Sequence, residues 1–313
     1  MRVAMASLAG HPGRANEDFV AALPAATLPA AVRSTAASST AASPTAALPA
    51  ASLPVAAVLI DGADIPGMES VCHHGVAWYA SRLGSSLLEL LALGPDRALV
   101  AVLAEAIARV TAEHRGTCDV ADPISPSAAV ALLRVTASTV DYLVLGDATL
   151  VVSGAPSAPP HVSQQLLVTD PHVPQLVVTD PREPVISRAY ESRLKDVAAE
   201  SPEYHHLLRE LRSHRNQPGG FWLAKDDPYA AEEAVTGSRP LAGVNSAALL
   251  SNGASRLVDT FHLADWAGAL ALLASSGPDE LLRRVRRAEA DRAHPSDDAT
   301  IAFCTDLTDF RSS

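Results

Sequence analysis

The sequence predicts an α+β fold in which helices cover packed sheets, and three observations carry that prediction. Short apolar runs bounded by turn residues recur along the 313-residue chain, as buried strands require. Two amphipathic helical patterns follow one another directly, early in the chain. Further helical patterns gather late, before a closing strand. Strands, a helix pair, strands, helices and a last strand make the order of a layered sandwich.

Each element follows from its residues. The opening MRVAMASLAG has the small-residue look of a secretory leader, but its apolar stretch is too short and reads as a strand. Residues 23–54 are almost without charge and are interrupted by prolines that a helix interior does not tolerate. They read as a loosely ordered, dispensable loop, with too little patterned apolar surface to offset ordering entropy. Val55 to Ile60 (VAAVLI) resumes as a buried strand, so the loop joins two strands within one domain spanning residues 1–313. Such length is tolerated because doubling a loop costs only about 0.6 kcal/mol.

From Met68 to Leu93, Val71, Val76, Tyr79, Leu83, Leu87 and Leu90 mark a helical face. Leu99, Val102, Leu103, Ala106 and Val110 repeat it after Gly94-Pro95. Ala128 to Val135, Val140 to Leu145 and Thr149 to Val152 then read as a meander of antiparallel strands. The duplicated LLVTDP and LVVTDP at Leu166 and Leu176 carry prolines that limit both to edge strands. Residues 187–215 are charged and helical in pattern. Ala247 to Ser251 is a strand, helices are expected near 264–274 and 278–292, and Thr300 to Cys304 closes the chain.

Charge and cysteine usage bound the function. With 24 Lys+Arg against 35 Asp+Glu the net charge is −11, which disfavours a general nucleic-acid binder and suits acidic pockets for cations. No apolar run approaches the ~18 residues of a membrane span. Only Lys195 and Lys225 are lysines, a bias toward arginine expected of a GC-rich genome such as an actinobacterium's. Cys72, Cys118 and Cys304 lie far apart without a CxxC, which indicates neither a disulfide framework nor a cysteine zinc site and points to a reducing, cytoplasmic setting. His73-His74 falls inside the first helical pattern, where neighbours diverge by about 100° and cannot readily share an ion. His205-His206 reads likewise as helix surface. The stripe Arg283, Arg284, Arg286 and Arg287 is flanked by Asp279, Glu280, Glu289 and Asp291 and reads as a solvated face.

The informative pattern lies at strand boundaries: Asn16-Glu17-Asp18, Asp61-Gly62, Gly146-Asp147, Asn252-Gly253 and Asp297-Asp298. Singly, each is an ordinary turn or cap. Together, carboxylates at the ends of neighbouring buried strands converge, and like charges so held need a cation. Oxygen donors without nearby cysteine or HExxH favour Mg²⁺ or Mn²⁺.

In sequence order, NEDF, VLIDGAD, LVLGDATL, ALLSNGASRLVD and SDDATIAF resemble the signature segments of the protein phosphatase 2C (PPM) family of metal-dependent Ser/Thr phosphatases, in a bacterial, actinobacterial-like form. The resemblance runs from Arg14 to Phe303 and is weakest over the loop 23–54 and over 154–243. It implies a four-layer α-β-β-α sandwich of two antiparallel sheets flanked by helices. It also implies two Mg²⁺ or Mn²⁺ ions, bridged by Asp61, with a carbonyl from Gly62, waters held by Glu17 and Asp18, and a further ligand in Asp297. Asp147 matches a position that contributes to a third ion in several bacterial members. Arg14 matches an arginine that grips the substrate phosphate, as a guanidinium fork suits. The implied chemistry is hydrolysis of phosphoserine and phosphothreonine on proteins by metal-activated water attacking phosphorus, with no nucleic-acid or membrane partner.

Four positions depart from the pattern. Asn252 stands where the family has a ligating aspartate, so one ion should bind more weakly. Ala63 stands where some members have a proton-donating histidine, with Asp64 beside it. Asp298 replaces an asparagine, and Thr149 replaces an arginine. The rival readings are a pseudophosphatase kept as a binding module and a phosphatase of small metabolites.

Overall fold

The computed structural model describes residues 1–23, 55–63, 70–154, 167–168, 175–198 and 201–307. The expected loop 23–54 lies outside them except for Leu23, which ends a strand, and Asp64 also lies outside.

Among the described residues, eleven strands form two antiparallel sheets. One runs β2 (Phe19–Leu23), β3 (Val55–Gly62), β4 (Ala128–Val135), β5 (Thr139–Leu145) and β9 (Val235–Pro240). The other runs β1 (Arg2–Leu8), β11 (Ala299–Thr305), β10 (Val244–Leu250), β6 (Thr149–Gly154), β8 (Gln175–Val178) and β7 (Leu167–Val168). The sheets pack face to face. Ala57, Leu59, Ala131 and Leu133 of the first meet Leu150, Val152, Leu249 and Ala302 of the second in one buried cluster. The alternate residues Ala56, Val58, Ile60, Val130 and Leu132 turn outward onto α1 (Gly75–Leu93) and α2 (Leu99–His114). On the far side Ala248, Leu250, Ile301 and Phe303 face α5 (Asn252–Asp259), α6 (Trp266–Ser276) and α7 (Pro278–Asp291). Both faces of these strands are buried, which is why they read as continuous apolar runs, and a one-residue slip would exchange the two cores. The result is the expected four-layer sandwich. The charged stretch forms α3 (Arg182–Lys195) and α4 (Pro202–Arg212).

Four expectations change. The three strands 128–152 are not one meander: β4 and β5 pair, but the chain turns at Gly146 (φ +76°) and β6 enters the other sheet beside β10. Of the duplicated strands, β8 is not at the edge, because its prolines flank the strand and its backbone pairs with both β6 and β7. The first helix begins at Gly75, so His73 and His74 precede it. Finally, α5 starts within the Asn252-Gly253 motif, which the sequence presented only as a strand end.

Candidate metal centre

Strand register explains how residues from opposite ends of the chain meet. In the first sheet Phe19 pairs with Ile60 and Gly62 with Ala128, so the entry to β2 and the exit of β3 lie at the same end. In the second, Leu250 pairs with both Ile301 and Thr149, so the exit of β10 and the entries to β11 and β6 share an end. Glu17, Asp61, Asp147, Asn252 and Asp297 consequently line one cleft of about 400 Å³, with Gly62, Arg14 and Asp298 on its walls. Asp18 is not among the residues lining the cleft, but its charge acts on Asp61.

Close backbone approach fixes two glycines there. A Cβ on Gly62 would stand 2.5 Å from the Glu17 carbonyl and from Val76 of α1. On Gly253 it would stand 2.0 Å from the Asp298 carbonyl. Either substitution forces the ends of neighbouring elements apart.

The electrostatics are those of anions held closer than they tolerate alone. Burial, and then the charges of Asp18, Asp147 and Asp297, hold the Asp61 carboxyl well above the usual range, although the Asn252 backbone N–H donates to its Oδ2 at 2.6 Å. Burial pushes Asp18 up to about 6, with Asp298 and Asp297 adding to the rise and the Thr300 and Ser251 hydroxyls opposing it. Among the described residues neither buried Asp18 oxygen makes a well-formed hydrogen bond. Burial and Glu183 push Asp147 up to about 7, opposed by the Asn252 amide and Arg212. Two buried carboxylate oxygens without a well-formed hydrogen bond, beside carboxylates that raise one another, fit a hard divalent cation held by oxygen.

The departures have structural consequences. Asn252 Nδ2 donates to Asp147 Oδ2 at 2.7 Å, so only Oδ1 could serve an ion. Asp297 is half exposed and paired with Arg256 at 2.7 Å. Asp298 accepts from the Gly10 backbone N–H at 2.7 Å and from that of Glu17 at 2.5 Å, so it pins the 10–17 loop instead of facing an ion. Ala63 donates its N–H to the Ser127 carbonyl and brings no proton donor. Thr149, at the arginine position, is buried in β6.

Two lining residues escaped the sequence reading. Arg212 of α4 donates to Glu183 of α3 at 2.8 Å, both side chains being 15% exposed, and both reach the cleft. They fall in the stretch where the motifs are weakest, and their charged helices carry no local pattern that separates a lining residue from a solvated one.

No family model matches the sequence, and no curated protein matches it. Solved structures do. The serine/threonine phosphatase PstP/Ppp of Mycobacterium tuberculosis superposes with a TM-score of 0.51 at 14% identity, over 97% of this chain and 98% of that one. The fold is that of a protein phosphatase 2C. A bacterial serine phosphatase gives 0.50 at 12% identity over 97% of both chains. A sex-determining protein of C. elegans gives 0.50 at 14%, over 97% of this chain and 64% of its own. At such identities the likeness is one of fold, and within the phosphatase 2C fold the residues of the cleft must speak for themselves.

Proposed function

We propose that the chain is a metal-dependent phosphomonoester hydrolase acting on phosphoserine and phosphothreonine in cytoplasmic proteins, its sandwich working as one domain. The observation that carries this reading is the convergence of Glu17, Asp61, Asp147 and Asp297 on one cleft, with the charge of Asp18 acting on Asp61 and Arg14 at the wall. Asp61, Asp18, Glu17 and Asp297, with the Gly62 carbonyl and Asn252 Oδ1, would hold two Mg²⁺ or Mn²⁺ ions, and Asp147 a third. When bound, the ions supply the positive charge that acidifies water and offsets charge on a phosphoryl group. The chain's own residues do the rest. Arg14 orients the phosphate by a charge-assisted fork, and Arg212, held by Glu183, offers a second guanidinium in the same cleft. Asp298 keeps Arg14 in reach by fixing the loop that carries it.

The second reading, a pseudophosphatase that binds and does not turn over, is favoured by two contacts: Asn252 is engaged with Asp147, and Asp297 with Arg256. Hydrolysis of p-nitrophenyl phosphate and of a phosphopeptide panel, titrated with Mn²⁺, decides between them. Metal-dependent turnover of phosphopeptides supports the enzyme. Turnover of sugar or nucleotide phosphates alone replaces its substrate class. Absence of turnover, with phosphopeptide binding retained, leaves the binding module.

A further inference from the structure

Away from the acidic cleft, the entry to α1 carries a second cluster of a different chemistry. Cys72, His74 and Cys118 bring one donor atom each within 4.8 Å of one another. Their sequence separation gave no sign of this: the α1–α2 hairpin folds the loop after α2 back beside the residues preceding α1, where the Asp119 N–H donates to the Val71 carbonyl at 3.1 Å. Because His73 and His74 lie ahead of the helix, the helical divergence that would separate their rings does not apply.

Cys72, His74 and Cys118 stand close enough to share one ion, and His73 lies beside them. His74 Nδ1 lies 3.3 Å from Cys118 Sγ and 3.9 Å from Cys72 Sγ, and His73 Nδ1 lies 3.7 Å from Cys118 Sγ. A tetrahedron with zinc–sulfur bonds of about 2.3 Å and zinc–nitrogen bonds of about 2.0 Å has sulfur–nitrogen edges of about 3.6 Å. The surroundings support the ligands. The His74 ring stacks on Trp78 with centroids 4.3 Å apart, which sets its plane. The Cys72 side chain is buried, which shields a metal-bound sulfur from solvent. All three cysteines of the chain are free thiols.

We propose that Cys72, His74 and Cys118 form a structural zinc site that clasps the entry of α1 to the loop after α2, a turn of the neighbouring His73 ring completing the tetrahedron. Two thiolates and two imidazoles select zinc over the Mg²⁺ or Mn²⁺ suited to the oxygen cleft. On binding, each thiol loses its proton to solvent and its sulfur lone pair forms the metal bond. The clasp acts next to the cleft without belonging to it, since Val76 in the first turn of α1 packs against Gly62.

The test uses the full chain, purified under reducing conditions and kept in excess Mg²⁺. Elemental analysis should find about one zinc per chain. That zinc should be lost in Cys72→Ala, Cys118→Ala and His74→Ala, and reduced in affinity in His73→Ala. It should be retained in Cys304→Ala and in Asp61→Asn. Zinc-selective chelation should lower the unfolding temperature of the wild type and leave that of Cys118→Ala unmoved. Cobalt(II) added to the metal-free wild type should give the intense visible bands of tetrahedral thiolate coordination, a readout that needs no variant to fold. Absence of that spectrum in fully reduced protein, or zinc content no higher than in Cys118→Ala, overturns the proposal. So does a Cys72–Cys118 disulfide in protein freshly isolated from a reducing cytoplasm.

Discussion

The acidic cleft and the Cys72–His74–Cys118 cluster stand at the two ends of one short connection, from the exit of β3 to the entry of α1, and they are built on opposite plans. In the cleft the donors are oxygens, each fixed at the end of a strand whose neighbours are set by backbone register, and burial makes their negative charge costly. In the cluster the donors are sulfur and nitrogen on loops, gathered by the packing of two helices. The first plan leaves anions that need a hard cation, and the second leaves a soft cage closed by helix packing. Removing a donor should therefore act on charge balance in the first and on the anchoring of α1 in the second.

The largest expected effect is that of Asp61→Ala. This carboxylate is partly buried and bears the charges of Asp18, Asp147 and Asp297, so its loss should weaken Mn²⁺ binding by at least about a hundredfold, a few kcal/mol at contact even with strong screening, and abolish hydrolysis. Zinc content should not change, and the metal-free protein should unfold no more easily, because a buried like charge has gone. Calorimetric titration with Mn²⁺ checks it. An unaltered affinity would remove Asp61 from the metal centre.

The same contrast explains what was legible in the sequence. The strands could be read because both faces are buried, and a boundary such as Asp61-Gly62 then stands out against VAAVLI. Each acidic motif at a strand end carries its own local signature, so those five short segments could be read. Arg212 and Glu183 reach the same cleft from α3 and α4, but on a charged helix nothing local separates them from solvated neighbours. Nor could Cys72 and Cys118 be paired, since what joins them is the hairpin and not a spacing. The crossing of β6 between sheets was hidden for a similar reason: Gly146-Asp147 reads as any tight turn, and only pairing with β10 shows which sheet receives the strand.

Arg14→Ala should come next. A guanidinium that holds substrate phosphate and no metal should raise KM by about tenfold or more, within the 1.5–3 kcal/mol of a charge-assisted contact, and leave Mn²⁺ affinity intact. Phosphopeptide kinetics beside a metal titration separate the two effects. Weakened Mn²⁺ binding in this variant would make Arg14 part of the scaffold of the centre and not a clamp on phosphate.

Asn252→Asp sharpens the contrast further, because here the charge is added. The amide now donates to Asp147, and a carboxylate would replace that bond with repulsion. The metal-free variant should lose on the order of 2 kcal/mol, seen as a lower unfolding temperature. Saturating Mn²⁺ should more than restore it, with tighter binding of the second ion and faster turnover. If metal-free stability falls and Mn²⁺ restores nothing, the cleft does not bind the ion through this position.

The smallest effect expected is a pH dependence, and its sign distinguishes an anionic cage from an ordinary surface cluster. Asp18 at about 6 and Asp147 at about 7 both lie above the ordinary 3.8, and Asp61 is displaced in the same direction. Between about pH 4 and pH 7 the metal-free folded chain therefore holds protons that the unfolded chain has released, and stability falls as pH rises, by up to about 1.4 kcal/mol for each unit of displacement. A cation reverses the balance, since it binds the deprotonated carboxylates and must displace those protons at low pH. The rise in unfolding temperature produced by Mn²⁺ should accordingly be small near about pH 5.5 and grow toward about pH 8, and Asp147→Asn should flatten that growth. The zinc cluster alters the same curve through deprotonation of its thiols and imidazoles, so comparing scans with and without Mn²⁺ in zinc-replete protein isolates the carboxylates. An Mn²⁺ increment that is level across this range would mean that the buried aspartates are not its ligands.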